Sequence, residues 1–468
     1  MSNEKNKTKV LGSGFVDWCN RWVPNALVLA FLLTILVAVL CIIFAGSPLI
    51  TSTETKTSLI DAWSGGFWNL LEFAMQMALV MLTGYILASA PICKKGLTKL
   101  AYMPTTTISA MLLCGVVTLI LFWIHWGLGM MASIVLGQQV MVAARKKGYK
   151  LHMPSLVAYI YACELCCNGI SQAAPLNASN PGFLQGLTTD ETVAAYVPEV
   201  ISLGETVLNA PIFIQNACLF IIVTLISYLM MPKKDHDIEE IGEAFAEELA
   251  TVEIKKPKAA TPADWLNNSP LLNIIIGLAG MVYVVRTLLE SGIVGISLNN
   301  YNFMMLMLGL LLCGTPEQFC KCVSGAIGST WGIIIQFPFY AGIFGLIAYT
   351  GLNDVIVNLF TSISTTETFP TVAYVYSSIM NMVVPSGGSK FVIEAPYLLQ
   401  VCQQLQVDIA DVVNAYTVGD MTTNIIQPFW ALPFIGLFRI DFKKIIPYTV
   451  FVSAAAFVFN CLYIYFIY

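Results

Sequence analysis

The sequence predicts an all-α polytopic membrane protein made of two inverted-topology repeats with re-entrant helical hairpins and broken helices, and three observations predict it. Of its 468 residues, 57% are hydrophobic and 11% charged, whereas a soluble domain carries about 25% charged residues. Runs of about twenty uncharged residues recur from Ala26 to Tyr468, each long enough to span hydrocarbon as a helix. Polar and glycine landmarks also return at one constant offset of 260 residues: Ser64-Gly65 as Ser324-Gly325, Gln76 as Gln336, and Gly127 as Gly387.

Taken in order, the first apolar run, 26–46, follows Lys5, Lys7, Lys9 and Arg21. It is too long for a signal core of roughly 7 to 15 residues, so it is a retained first span. About thirteen apolar segments follow the chain, centred near residues 35, 79, 115, 136, 164, 218, 280, 306, 338, 377, 396, 424 and 457. Loops rich in Lys and Arg stay in the cytoplasm. These are the loops of Lys94, Lys95 and Lys99, of Arg145, Lys146, Lys147 and Lys150, the polar stretch 233–265, and the loop of Arg439, Lys443 and Lys444. The intervening loops, 175–204, 351–368 and around Asp408 and Asp411, are poor in Lys and Arg. The N-terminus is therefore expected in the cytoplasm. Each basic loop has an acidic counterpart in the other copy, as copies of opposite orientation require. The chain divides into an N-terminal transmembrane repeat (1–231), a cytoplasmic linker (232–268) and an inverted C-terminal repeat (269–468). A short surface helix is expected between Asp237 and Thr251, its acidic face solvated.

Composition excludes other classes. The net charge of −5 is not gathered into a basic stripe, so no nucleic acid partner is indicated. The 13 cysteines lie mostly inside apolar runs, as buried thiols rather than a disulfide framework. Cys163, Cys166 and Cys167 have no neighbouring His, so packing is expected there and no metal site. Three His and the absence of a His-Glu-x-x-His pair argue against an enzyme. No phosphate-binding loop and no cofactor motif occurs. A passive channel would favour rings of repeated charge.

Function is then sought where helices break, because backbone leaves helical geometry inside hydrocarbon only where protein or a water-lined cavity satisfies it. His125-Trp-Gly-Leu-Gly129 and Pro385-Ser-Gly-Gly-Ser389 each join two apolar arms and read as hairpin tips entering from opposite sides. Interruptions follow at 167–172 and 424–430. Helix starts there suit a carboxylate, and unwound carbonyls and acidic side chains suit a cation. The expected substrate-binding residues are Ser386, Gly387, Gly388, Ser389, Lys390, His125, Gly127, Gly129, Asn424 and Gln427. The expected ion-coupling residues are Asp420, Glu394 and Asn168. Lys390 and Glu394, at i and i+4, can pair on one helical face, or Lys390 can meet a substrate carboxylate while Glu394 releases it. Gln76 and Gln336 are expected as interhelical hydrogen-bond partners, and Glu72 and Glu164 are further buried carboxyls.

The blocks WSGGFWNLLEFAMQMAL at 63–79, QFPFYAG at 336–342, VPSGG at 384–388 and QPFWALP at 427–433 resemble the bacterial short-chain fatty acid transporter family over nearly the whole chain. The resemblance implies a secondary carrier of acetoacetate, butyrate and similar acids in the cytoplasmic membrane of a bacterium, akin to the ion-transporter superfamily with paired hairpins and elevator-like motion. It points to Ser386, Gly387, Gly388, Asp420, Asn424 and Gln427. The chain departs from the family pattern at Lys390, Glu394, His125 and 164–172, which leaves an amino-bearing or larger carboxylate as an alternative substrate. The partners implied are a small carboxylate, a coupling cation (H+ or Na+) and the lipid bilayer; a homodimer stays open.

Overall fold

The computed structural model describes residues 21, 24, 26–233, 238–250 and 261–468. Lys5, Lys7 and Lys9, the N-terminus assigned to the cytoplasm, and Asp237 and Thr251 at the ends of the expected surface helix lie outside the described residues. The first half contains α1 (Ala26–Leu40), α2 (Leu59–Gly66), α3 (Leu71–Ser89), α4 (Pro91–Ala101), α5 (Thr107–Ile124), α6 (Trp126–Lys147), α7 (Met153–Ala162), α8 (Ala173–Ala178), α9 (Glu191–Tyr196) and α10 (Ala210–Met230). The linker carries α11 (Glu243–Ala250) and α12 (Pro262–Asn268). The second half contains α13 (Leu271–Ser291), α14 (Leu298–Cys313), α15 (Pro316–Ala326), α16 (Trp331–Thr350), α17 (Leu352–Ile363), α18 (Phe369–Met380), α19 (Gly387–Leu405), α20 (Ile409–Asn424), α21 (Pro428–Phe438) and α22 (Phe442–Ile467). Among the described residues no strand occurs, and eight helices are long and apolar enough to cross a membrane. The protein is an all-helical, multi-pass membrane protein.

Local chemistry sets the boundaries. Thr106 and Ser109 form a reciprocal capping box at the start of α5, which satisfies otherwise orphaned N–H groups. Asn209 caps α10, with Pro211 inside its first turn. Helix α6 ends on Arg145, Lys146 and Lys147 followed by Gly148 at φ 78°, where positive charge meets the negative helix end and glycine takes the left-handed conformation freely.

The two halves interlock. Helices α3 and α16, which begin 260 residues apart, pack side by side. Helix α2 leans on α16 while α15 leans on α3; α1 packs on α16 while α14 packs on α3; α6 and α19 pack on α3 and α16 respectively. Helices α2 and α16 meet through glycines: a Cβ on Gly66 would lie 2.7 Å from the Gly345 Cα, and one on Gly345 would strike the Ala62 carbonyl. Small residues permit such close approach, which in lipid gives van der Waals packing its strength.

The chain reverses at both expected tips, but the arms pack differently. Helices α5 and α6 form a close hairpin turning at His125, and a Cβ on Gly129 would lie 2.5 Å from Phe122. Between the arms of the second tip the Tyr376 and Tyr397 hydroxyls meet at 2.8 Å, yet α18 packs chiefly along α20, and α19 along α16 and α17. Both following spans are interrupted. Helix α7 tightens into a 3-10 turn at Cys163–Cys166 and is non-helical until α8 begins at Ala173, while α20 ends at Asn424 and α21 begins at Pro428.

The loops gather by charge. Lys147 donates to the carbonyls of Tyr102 and Pro104, and Thr107 to that of Lys150. The linker joins this basic group rather than standing free. Arg145 pairs with Glu243 at 3.0 Å, Arg439 grips Glu248 with both terminal nitrogens at 2.9 and 2.6 Å, and Lys444 reaches Glu239. Ile241 and Ala246 are buried beneath, and the Arg439 guanidinium covers the Phe245 ring at 4.5 Å. The acidic face stays solvated, as expected, and its carboxylates also form an ionic strap. The basic-poor loops form a separate group, through Gln403 to Thr192, Tyr196 to the Val407 carbonyl and Thr366 to the Leu405 carbonyl.

Candidate functional site

A cavity of about 510 Å³ lies between α3 and α16 on one side and both hairpin tips on the other. Its wall includes Met81, Tyr85, Trp126, Gly127, Met130, Met131, Trp331, Gln336, Phe337, Tyr340, Ser386 and Trp430, and among the described residues it presents no carboxylate, ammonium, guanidinium or imidazole group. Three methionine thioethers and several aromatic rings make the wall apolar and adaptable. Two helix starts reach it. Ser386 begins α19 without a side-chain cap, which leaves the first N–H groups of that helix without a local acceptor. Gly127 stands at the start of α6. Gln336, one turn into the break-prone segment before Pro338, lines the cavity and makes no hydrogen bond among the described residues. Its counterpart Gln76 is the interhelical bridge expected, donating to Asn299 at 2.9 Å.

Trp126 and Trp430 meet edge to face at 5.8 Å, and the Trp430 indole donates to the Pro385 carbonyl at 3.1 Å. The two tips are thereby joined. Elsewhere in the hairpin body a polar network is buried. Lys390 is fully enclosed; its ammonium lies 3.1 Å from Asp420 Oδ1, donates to the Ser377 carbonyl at 2.9 Å and hydroxyl at 2.8 Å, and sits 4.6 Å from the Tyr416 ring centre. The i, i+4 pairing with Glu394 is replaced by this contact with the next helix. Glu394 instead accepts from the Tyr416 hydroxyl at 2.5 Å. Gly387 backs onto the same carboxylate, since a Cβ there would lie 2.7 Å from Asp420 Oδ2.

Asn424 is the junction. Its amide nitrogen donates to Glu164 Oε1 at 3.1 Å and approaches Asp420 Oδ2 at 3.5 Å, and its oxygen accepts from Asn381 at 2.8 Å and Gln427 at 3.3 Å. Tyr161 donates to its carbonyl at 3.0 Å.

The structure therefore divides the expected residues. Ser386 and Gly127 line the cavity. Lys390, Asp420, Asn424, Gln427 and Gly387 belong to the buried network, and Lys390 has its three donors directed inward. His125 does not line the cavity: its Nδ1 accepts from the Leu128 N–H at 3.2 Å, and its Nε2 lies 3.3 Å from the Thr83 hydroxyl. Gly129 serves hairpin packing, and Gly388 packs against Phe73 and Ala173. The Ser389 hydroxyl and both side-chain atoms of Asn168 are buried without partners among the described residues, while Asn216 holds the Asn168 backbone. Residues not expected here are Gln336, Trp126, Trp430, Asn381 and Ser377, together with Glu164, whose link to Asn424 spans 260 residues, the offset noted in the sequence.

Residues 8–467 match the model of a family described as "Short chain fatty acid transporter". The chain belongs to the short-chain fatty acid transporter family. A protein of Escherichia coli (strain K12) named for short-chain fatty acid transport is 33% identical over 432 residues, covering 92% of this chain and 93% of the relative. One so named from Haemophilus influenzae is 31% identical over 428 residues, covering 91% and 92%. Among solved structures, MtrF of Neisseria gonorrhoeae, described in its title among antimetabolite efflux pumps, aligns over 96% of this chain and 97% of its own, with TM-score 0.50 and 14% identity. The YdaH transporter of Alcanivorax borkumensis aligns over 95% and 99%, with TM-score 0.48 and 15% identity. At 14% identity the likeness to MtrF concerns the fold alone. Membership of this family makes the chain a transporter and not an enzyme.

Proposed function

We propose that the chain is a secondary active transporter of short-chain fatty acids, coupled to a cation, in the cytoplasmic membrane of a bacterium. The observation that carries this is the cavity: an apolar wall without fixed charge, met by two helix starts and one free amide. A helix start and an amide offer N–H donors to a single carboxylate, while methionines and rings accept a short alkyl chain. A dicarboxylate would leave its second charge facing rings, which strongly disfavours it. The amino-acid alternative rested on Lys390 and Glu394 standing at the tip; both are turned inward, which favours the simple acid.

The two halves, 1–231 and 269–468, act as inverted repeats about the linker 232–268. Supporting this are the reciprocal packing around α3 and α16 and the segregation of basic from acidic loops. With basic loops in the cytoplasm, the N-terminus lies there too. Tyr85 and Leu437 line the cavity on segments that run on to the basic residues Lys94 and Arg439, which supports an inward-facing opening. The hairpin body slides past α3 and α16 in an elevator-like movement, and Asp420, Glu394 and Asn168 belong to its ion-responsive interior. Uptake of labelled butyrate, acetoacetate, succinate and alanine into proteoliposomes tests the cargo. Saturable exchange of the two monocarboxylates alone is expected; exchange of succinate or alanine in their place would overturn it.

A further inference from the structure

The buried network does not balance its charge. Three carboxyls, Glu164, Glu394 and Asp420, share one cation, Lys390, and the ammonium touches Asp420. A charge at mid-membrane costs about 2.5 to 3.5 kcal/mol on insertion scales, so a carboxyl without a cation there holds a proton. Glu394 is sealed at 1% exposure, with the Tyr416 hydroxyl against it and Lys390 one turn away. Glu164 differs. It lies in the Cys163–Cys166 turn where α7 breaks, its side chain is partly exposed, and the one partner described for it is the neutral amide of Asn424.

Among the described residues its surroundings contain no competing cation. From α20 it faces Asn424 and, beyond, Asp420; from its own segment Tyr161 and the Cys167 thiol, with Cys163 and Cys166 in the same turn. Helices α5, α7 and α10, which pack on this turn, contribute no carboxyl or basic side chain; their titratable groups are the thiols Cys114 and Cys218 and the phenols Tyr159, Tyr161 and Tyr228. Glu164 and Asn424 also occupy corresponding positions in the two halves, so their bond joins the two broken helices.

We infer that Glu164 is the proton-carrying residue of the transport cycle, taking up one proton with each carboxylate so that cargo and proton cross together without net charge. Asn424 reads its state: its N–H donates to the ionised carboxylate and loses part of that bond when Glu164 is protonated, which alters the hold of Asn424 on Asp420 and Gln427 at the second break. The inference rests on the monocarboxylate reading above, and the experiment separates the two.

The full chain and its Glu164→Gln, Glu164→Asp and Glu394→Gln variants are reconstituted in sodium-free vesicles, with protein-free vesicles subtracted. Acetoacetate counterflow and net uptake under an imposed potassium-diffusion potential are measured. Wild type is expected to show counterflow and net uptake insensitive to potential but raised at least tenfold by external acid. Glu164→Gln retains counterflow within about threefold, loses the acid stimulation and gains dependence on potential, because the bare anion now crosses. Glu164→Asp keeps the wild-type pattern. Absence of wild-type counterflow overturns the cargo reading and the inference together. Acid stimulation that survives in Glu164→Gln, its loss in Glu394→Gln instead, wild-type net uptake only with sodium, or loss of counterflow in both Glu164 variants overturns the inference alone.

Discussion

Removing the Lys390 ammonium tests whether the network is held by its single ion pair. Lys390→Met preserves length and apolar volume but leaves the Asp420 carboxylate, 10% exposed, with the Asn424 amide at 3.5 Å and the Gly387 backbone beside it. Breaking a buried pair from one side costs about 3 to 5 kcal/mol, because the remaining charge is desolvated without compensation, whereas replacing both members with apolar groups is close to neutral. Lys390→Met and Asp420→Leu are therefore each expected to lose about 3 to 5 kcal/mol, a shift of about two to four orders of magnitude in the folded ratio. The double variant should recover most of it. Thermal unfolding of the purified protein in detergent, with monodispersity as a check, measures the cycle. If Lys390→Met unfolds within about 1 kcal/mol of wild type, or the double variant equals the sum of the singles, the ammonium and carboxylate do not form the pair described.

Other expectations follow from the cavity and its frame. Gln336→Leu removes a donor to an ionised group, worth about 1.5 to 3 kcal/mol, so KM for butyrate should rise about ten- to hundredfold in vesicle uptake with thermal stability unchanged. Trp430→Phe deletes the bond to the Pro385 carbonyl and loosens the union of the tips; competition assays should show longer acids such as hexanoate gaining affinity relative to butyrate. Gly345→Leu, which collides with the Ala62 carbonyl, should abolish folded, monodisperse protein, while Gly186→Ala, in open space, should leave it intact. Each surface ion pair of the strap is worth at most about 1 kcal/mol, so Glu239→Ala, Glu243→Ala and Glu248→Ala alone should change little. Reversal of all three to Lys should release 238–250, detected as faster cleavage there in limited proteolysis.

Spans and breaks were legible because hydrocarbon imposes length and apolarity on every crossing segment, and because Gly and Pro inside such a segment are informative. The 260-residue offset paired Gly127 with Gly387, and both stand in the first turn of a helix. What escaped were tertiary choices. The spacing of Lys390 and Glu394 describes one helix, and no local rule reveals Asp420 waiting on the next. Gln336 and Gln76 are indistinguishable in sequence, yet one faces a cavity and the other a neighbouring Asn299. His125 was expected as a ligand because it opens the Gly-rich tip 125–129, and it is consumed in capping its own helix. The bond between Glu164 and Asn424 was in principle readable from the 260-residue offset, but the two side chains differ in type and so gave no visible match.

The strap alters what a break in the polypeptide would mean. Glu239 and Glu248 precede 251–260, and Lys444 and Arg439 that hold them come after it, so the portions before and after that stretch stay joined by clasped side chains as well as by peptide bonds. Two separately translated fragments, divided between 250 and 261, would carry matching halves of this clasp and have the means to reassemble into one working carrier.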